Sequence, residues 1–160
     1  MKYIIGIVIL FSYKNSVEQT IQLDDIIKVY SMDSTAFKKF CDGKNFKLFD
    51  HLSTDQYNSI VFETPDSSML LQSYYSDSVN RLAIVTFFSS STRAYQNLIS
   101  EIKKSGYHLT GSNKTNIAEN SYELKEVYNK DDLWIRCLDL YTDGDHTYSI
   151  MITHRKFNWL

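Results

Sequence analysis

Residues 81–107, RLAIVTFFSSSTRAYQNLISEIKKSGY, decide the fold because a strand pattern changes there into a helix pattern. The first part, Arg81–Phe88, is rich in β-branched and aromatic residues, which is typical of a strand. Ser90 or Ser91 then offers a helix N-cap, and Gly106 offers a helix end. Between these signals the apolar residues recur with the period of a helix, at Ala94, Tyr95, Leu98, Ile99 and Ile102.

Further helices and strands are predicted on both sides of this stretch. Upstream, Leu23–Tyr30 has the pattern of a short helix. A second helix starts at Asp33 or Ser34 and ends at Gly43. The predicted strands are, in chain order, Phe46–Leu52, Ser59–Glu63, Met69–Tyr75, Arg81–Phe88, Tyr107–Thr110, Ser121–Tyr128, Leu133–Tyr141 and Thr147–Arg155.

The order of these elements predicts an α+β fold, with one antiparallel sheet or two smaller ones packed by two main helices. The length of 160 residues fits a single domain over residues 20–160. Each half reads helix, glycine, short strand and three-strand meander, and Asp143-Gly144 predicts a hairpin in the second half. Residues 33–89 and 90–156 are therefore candidate pseudo-repeats, although any two such units would show some match. The sheet face opposite the helices would be available for a ligand, a partner or solvent.

The N-terminal segment, residues 1–19, reads MKYIIGIVILFSYKNSVEQ. Lys2 followed by the mostly apolar run Tyr3–Tyr13 resembles a bacterial secretory signal peptide, since the run is too short to span a bilayer as a helix. The alternative is a buried N-terminal strand, because the run is also strongly β-prone. A signal peptide would make the protein periplasmic or secreted, with no stable membrane span.

Charge and cysteine content exclude some classes of partner. The formal net charge is -2, and basic pairs such as Lys103-Lys104 are isolated. A nucleic-acid binder would carry a basic stripe, so no nucleic-acid partner is predicted. Cys41 and Cys137 could pair in an oxidising compartment, but we favour two buried free thiols. No CxxC or Cys/His cluster indicates a zinc site.

Catalytic motifs are missing from the sequence. The four histidines and five glycines form no HExxH, GxSxG, P-loop or GxGxxG motif, so we predict no enzyme, cofactor or metal site. Asp139, Asp143 and Asp145 offer oxygen ligands for calcium, but the layout is not that of an EF-hand and a hairpin turn explains it better. His146 and His154 are interpreted as surface residues, roughly 26 Å apart on one strand.

Aromatic side chains are the remaining lead, since the chain has 12 tyrosines and 9 phenylalanines. Exposed Tyr and Trp favour the recognition of proteins and sugars, because they bury a large area at a small entropy cost. The alternative is ordinary packing by β-prone residues. The candidate binding residues, all on or near predicted strands, are Tyr74, Tyr75, Trp134, Tyr141 and Tyr148.

These features predict a non-catalytic, exported binding module with another protein as its partner, in an immunity-type or inhibitor-type role. A second hypothesis is a domain that binds a small molecule or a glycan between helices and sheet. A third is a hydrolase in which His146 or His154 works with a nearby aspartate. The third hypothesis requires those side chains to converge in a pocket.

Overall fold

The computed structural model describes residues 21–54, 57–65, 69–76 and 81–154, which form one eight-stranded antiparallel sheet with three helices. The predicted α+β class is confirmed, and each predicted strand corresponds to an observed one. The predicted signal peptide, residues 1–19, lies outside the described residues. The helices are α1 (Leu23–Tyr30), α2 (Ser34–Gly43) and α3 (Thr92–Lys104). The strands are β1 (Lys47–Ser53), β2 (Tyr57–Glu63), β3 (Met69–Ser76), β4 (Arg81–Ser89), β5 (His108–Ala118), β6 (Ser121–Lys130), β7 (Leu133–Thr142) and β8 (Asp145–Thr153).

The sheet consists of two meanders of consecutive strands that meet in its middle, with the order β1-β2-β3-β4-β8-β7-β6-β5. Neighbouring strands are antiparallel throughout. At the junction, Val85 of β4 pairs with Ile152 of β8, and Phe87 pairs with Ile150. These side chains are at most 1% exposed, so the junction of the two meanders is also the centre of the core.

The three helices pack on one face of the sheet, and α1 lies over its centre, on β4 and β8 and beside α3. Leu23, Ile26 and Val29 form the buried stripe of α1 and are at most 1% exposed. Fully burying a side chain of this size stabilises a fold by about 1.5–3 kcal/mol. The division into two main helices is therefore not confirmed, because α1 buries as many residues as α3.

Two helices start at the predicted N-cap residues. The Asp33 side chain accepts a hydrogen bond from the amide of Ala36 (2.8 Å), and the Ser91 side chain accepts one from the amide of Ala94 (3.2 Å). Each bond satisfies an amide that the first helical turn leaves without an intrahelical partner. Such a cap stabilises the fold by about 0.5–2 kcal/mol.

The helix ends follow the predictions only in part. Helix α3 ends as predicted, because Gly106 follows it with a φ of 81°. Helix α2 instead includes Gly43, and Asn45 has the left-handed φ of 55°. Asn adopts this conformation more readily than most residues, so the chain leaves the helix two residues later than the glycine suggests.

Strand β5 shows the largest difference in length from its prediction. The pattern predicts a strand over Tyr107–Thr110, whereas the observed strand continues to Ala118 and pairs with β6 along its length. Almost all of its residues are exposed, because it is an edge strand. An exposed edge needs no alternation of apolar and polar residues, so periodicity carries no signal for the second half of this strand.

The two cysteines lie in the core. Cys41 of α2 and Cys137 of β7 are buried and unbridged, which confirms the preferred expectation of free thiols. Burial raises the pKa of both thiols well above its ordinary value. Both side chains are therefore protonated at neutral pH and act as small apolar core residues.

Candidate functional site

A group of aromatic side chains lies at one end of the helix-covered face, on β6, β7 and β8. The first turn of α3 borders this group, because Tyr95 stacks on one of its rings. We call these rings, together with the aspartate that they surround, the Tyr–His cluster. Its members are Tyr122, Asp139, Tyr141, His146 and Tyr148.

Two short turns bring the cluster residues together. Asp143 and Gly144 have φ values of 50° and 103°, which a two-residue hairpin turn of this kind requires, so the predicted hairpin is confirmed. This turn places Tyr141 opposite His146, and the β6–β7 turn places Tyr122 opposite Tyr141. Directly opposed residues have Cβ atoms about 4.5–5.5 Å apart. The three rings therefore form a row across three neighbouring strands.

The rings of the cluster contact one another continuously. Tyr122 and Tyr141 are stacked with centroids 5.2 Å apart, and the centroids of Tyr141 and His146 are 4.9 Å apart. His146 stacks on Tyr148 at 5.4 Å. Tyr148 is only 3% exposed and stacks in turn on Tyr95 of α3 at 4.3 Å. The row therefore runs from half-buried rings to a ring anchored in the core.

Asp139 holds the polar groups of the cluster. Its Oδ1 lies 2.7 Å from Nδ1 of His146, and the Tyr122 hydroxyl donates to its Oδ2 at 3.4 Å. The Asp139 side chain is 13% exposed, so these bonds offset the cost of removing a carboxylate from water. Because a carboxylate only accepts, Nδ1 carries the proton. In neutral His146, Nε2 is then the acceptor nitrogen.

The rim of the cluster adds hydroxyl groups and a cation. Burial and then the Asp139 carboxylate raise the pKa of Tyr122, so its phenol is protonated and donates at neutral pH. The Lys114 ammonium lies 3.9 Å from the Tyr122 ring centroid, within the range of a cation–π contact. The hydroxyls of Thr92 and Tyr148 are 2.9 Å apart and share a hydrogen bond. The surface thus presents aromatic rings, hydroxyls and one ammonium group.

The five predicted binding residues lie in three places. Tyr141 and Tyr148 belong to the Tyr–His cluster. Trp134 is the second residue of β7. Its neighbour Ile135 is buried under the helices, so strand alternation places Trp134 on the opposite sheet face. Tyr74 and Tyr75 flank a register shift on β3, three strands away from β7.

His146 is partly exposed and packs within the Tyr–His cluster. Its side chain is 30% exposed and bonds to Asp139, so it is part of the site. His154 is 50% exposed by contrast, and it contacts Tyr30 and Asp132. The two histidines therefore do not converge, in agreement with the distance predicted between them.

Sequence reasoning also missed Tyr122 and the role of Asp139. The signal was available in the hairpin, because a two-residue turn at Asp143-Gly144 fixes which residues oppose each other. Counting outward from that turn pairs Tyr141 with His146. The stacking of Tyr95 had no comparable signal, since it depends on where α3 lies over the sheet.

No family model, curated protein or solved structure matches the chain significantly. Within the described residues, no group of three or more His, Cys, Asp or Glu side chains could hold a metal ion. No helix in this part of the chain is both long and apolar enough to cross a bilayer. The function must therefore be argued from the Tyr–His cluster itself.

Proposed function

We propose that the protein is a non-catalytic, exported binding module that contacts another protein through the Tyr–His cluster. The observation that carries this proposal is the row of half-buried rings, in which the Tyr122 hydroxyl and Nδ1 of His146 are already hydrogen-bonded to Asp139. Such rings bury a large area when a partner covers them, and the two bonds to Asp139 can stay in place. Aromatic residues of this kind dominate the energetics of protein interfaces.

The mutual packing of the rings supports a binding role. Tyr141 is stacked on Tyr122 and lies against His146, so its side chain has few rotamers left to lose when a partner binds. Ordering a free side chain at an interface costs about 0.5–1.5 kcal/mol, and this cost is reduced for a ring already held in place. The small size and the net charge of -2 suit a compact immunity-type or inhibitor-type protein.

Affinity capture with matched variants tests the proposal. The tagged protein would be recovered from its native cell envelope, and co-purifying proteins would be identified and counted by mass spectrometry. We expect one stoichiometric partner, which Tyr141→Ala releases because the central ring of the row is lost. Leu109→Ala is the matched control, since Leu109 is an exposed apolar residue (52%) at the end of β5 that pairs with Tyr128, far along the strand from Tyr122.

Several outcomes would count against protein binding. A partner retained equally by both variants would place the interface elsewhere. Specific retention on a glycan array that Tyr141→Ala abolishes would favour the glycan-binding alternative, because tyrosine rings also stack on sugars. If no protein co-purifies in a stoichiometric amount, the hypothesis of a small-molecule-binding domain would be favoured.

A second candidate function rests on the His146–Asp139 pair. A histidine whose Nδ1 is hydrogen-bonded to a carboxylate has the arrangement of a general base, in which Nε2 accepts the proton. This favours the hydrolase alternative more than the sequence did. Hydrolysis of a panel of activated esters and amides that His146→Ala abolishes, with His154→Ala unchanged, would establish it.

Export and internal duplication belong to the same proposal. The leader-like residues 1–19 support export, and N-terminal sequencing of the purified protein tests it. A purified protein that still begins at Met1 would contradict cleavage.

The repeated order of one helix and four strands supports duplication of residues 33–89 and 90–156. A set of related chains whose two halves align no better than shuffled sequences would contradict duplication.

A further inference from the structure

The edge strand β1 carries an unusual concentration of exposed apolar side chains. All of its residues are exposed, and Leu48, Phe49 and Leu52 are 57%, 60% and 50% exposed. Among the described strands, β1 is the first of the sheet and pairs with β2 alone, so no described strand lies along its other side. An exposed edge with apolar side chains is a template for another strand.

The opposite edge of the sheet has a different character. Strand β5 is longer, has two register shifts against β6 and is mostly polar, with Leu109 and Ile117 as exposed apolar residues near its ends. Strand β1 also has a register shift and carries charged residues, so these features, which usually protect an edge from pairing, do not distinguish the two edges. The edges differ in exposed apolar side chains, which number three among the seven residues of β1 and two among the eleven of β5, so β1 is the one better suited to adding a strand.

A bulge in β1 brings two opposite charges to the same face. Lys47 pairs with Glu63 and Asp50 pairs with Val61, with Phe49 as the extra residue of the register shift. Glu63 and Val61 are two residues apart on β2 and share a face, so Lys47 and Asp50 share it as well. Without the bulge, a separation of three residues would place these charges on opposite faces.

We propose that β1 pairs antiparallel with β1 of a second copy, about a two-fold axis between Leu48 and Phe49. This register places Lys47 of each copy opposite Asp50 of the other, and it places Leu48 opposite Phe49. The charge pattern is self-complementary, so both ion pairs form at once, as a two-fold interface requires. Each copy carries its bulge at the same distance from the axis, so the two-fold symmetry is kept.

Dimerisation through β1 leaves the Tyr–His cluster accessible. Strand β7 lies five strand positions from β1, which corresponds to roughly 24 Å across the sheet. The dimer would present two clusters, one on each outer arm. The proposal does not depend on what the cluster binds, so either one can fail without the other.

Sedimentation velocity over a wide concentration series tests the dimer. The protein is expressed from its full sequence, and whatever processed form the cell produces is purified. We expect a reversible monomer–dimer equilibrium. Lys47→Asp and Asp50→Lys should each weaken it about tenfold or more, because each creates two like-charge pairs across the axis. A chain that stays monomeric at every concentration would overturn the proposal.

A mixing experiment separates the proposed register from any other contact. Lys47→Asp leaves two acidic groups on β1, and Asp50→Lys leaves two basic groups. The two variants should therefore dimerise with each other more tightly than either dimerises with itself. This outcome also guards against damage within one chain, since Lys47→Asp alone would additionally face Glu63 on β2.

A matched pair of apolar substitutions completes the test. Leu48→Ser should weaken the dimer, whereas Leu109→Ser on β5, at a similar exposure of 52%, should not. Circular dichroism of each variant would verify that it is folded. A dimer that survives Leu48→Ser, or that Leu109→Ser weakens equally, would place the interface elsewhere and overturn the assignment to β1.

Discussion

The β1 edge of the sheet and the end of the helix-covered face that holds the Tyr–His cluster present two different kinds of surface. At β1, apolar side chains are exposed and not covered by the helices. At the other end, the rings of the Tyr–His cluster are half buried, stacked on one another and joined to Asp139 by hydrogen bonds. The first surface presents exposed apolar side chains and the backbone of an edge strand. The second presents side chains held in fixed positions by their neighbours.

This difference separates the contributions of the two surfaces to stability. Side chains of the cluster pack on one another and, through Tyr148, on the core, so their loss affects both folding and binding. A side chain at β1 has few intramolecular contacts to lose, so its loss affects association alone. Substitutions in the cluster should therefore lower the free energy of unfolding, whereas substitutions on β1 should change only the association constant.

Tyr148→Ala is expected to have the largest effect on stability. Tyr148 is 3% exposed, stacks on Tyr95 and His146, and shares a hydrogen bond with Thr92. Truncating a buried aromatic side chain costs about 3–5 kcal/mol, because the cavity it leaves collapses only in part. Denaturant unfolding followed by circular dichroism would measure the loss.

The matched variant Tyr148→Phe keeps the ring and removes the hydroxyl. We expect it to cost about 1 kcal/mol, the net contribution of one hydrogen bond. If Tyr148→Ala cost no more than Tyr148→Phe, the ring would not be packed as described. The cluster end would then resemble β1 rather than differ from it.

Asp139→Ala should have the second largest effect, about 1.5–3 kcal/mol, because it removes charge-assisted hydrogen bonds to His146 and Tyr122. Asp132→Ala is the control, since the Asp132 side chain is 84% exposed and also lies near a histidine. Denaturation midpoints at neutral pH would compare the two. Equal midpoints would show that the Asp139 bonds contribute nothing beyond an ordinary surface ion pair.

Alkaline pH should weaken the fold through tyrosines of the second half of the chain. Burial raises the pKa of Tyr95, Tyr107, Tyr122 and Tyr128 above the ordinary value of 10.0. Above pH 10 the unfolded chain therefore releases protons that the folded chain retains, so stability is complete below that pH and falls as pH rises.

The expected slope for a fully buried tyrosine such as Tyr128 is about 1.4 kcal/mol per pH unit between its two pKa values. Denaturant midpoints measured at intervals from neutral pH to strongly alkaline pH would show it. Tyr128→Phe should flatten the curve, because one of the groups that release a proton on unfolding is removed. A midpoint independent of pH in this range would contradict the burial of these phenols.

The sequence predicted much of the fold because its signals were local. Caps at Asp33 and Ser91 and the Asp143-Gly144 turn depend on neighbouring residues, and all three were confirmed. The same turn determines that Tyr141 opposes His146, two of the five cluster members, although His146 was interpreted from the sequence as a surface residue. The stacking of Tyr95 could not be predicted, because it depends on how α3 docks on the sheet.

Leu48→Ser should have the smallest effect on stability, within about 0.5 kcal/mol, although it removes a large apolar side chain. Leu48 is 57% exposed in the monomer, so serine leaves no cavity and uncovers no polar group. Denaturation at a protein concentration where the chain is monomeric would measure this directly. At high concentration the wild type should gain stability from dimerisation, while Leu48→Ser should gain less. A large loss in the dilute monomer would mean that β1 is covered by its own chain, and the contrast between the two ends would disappear.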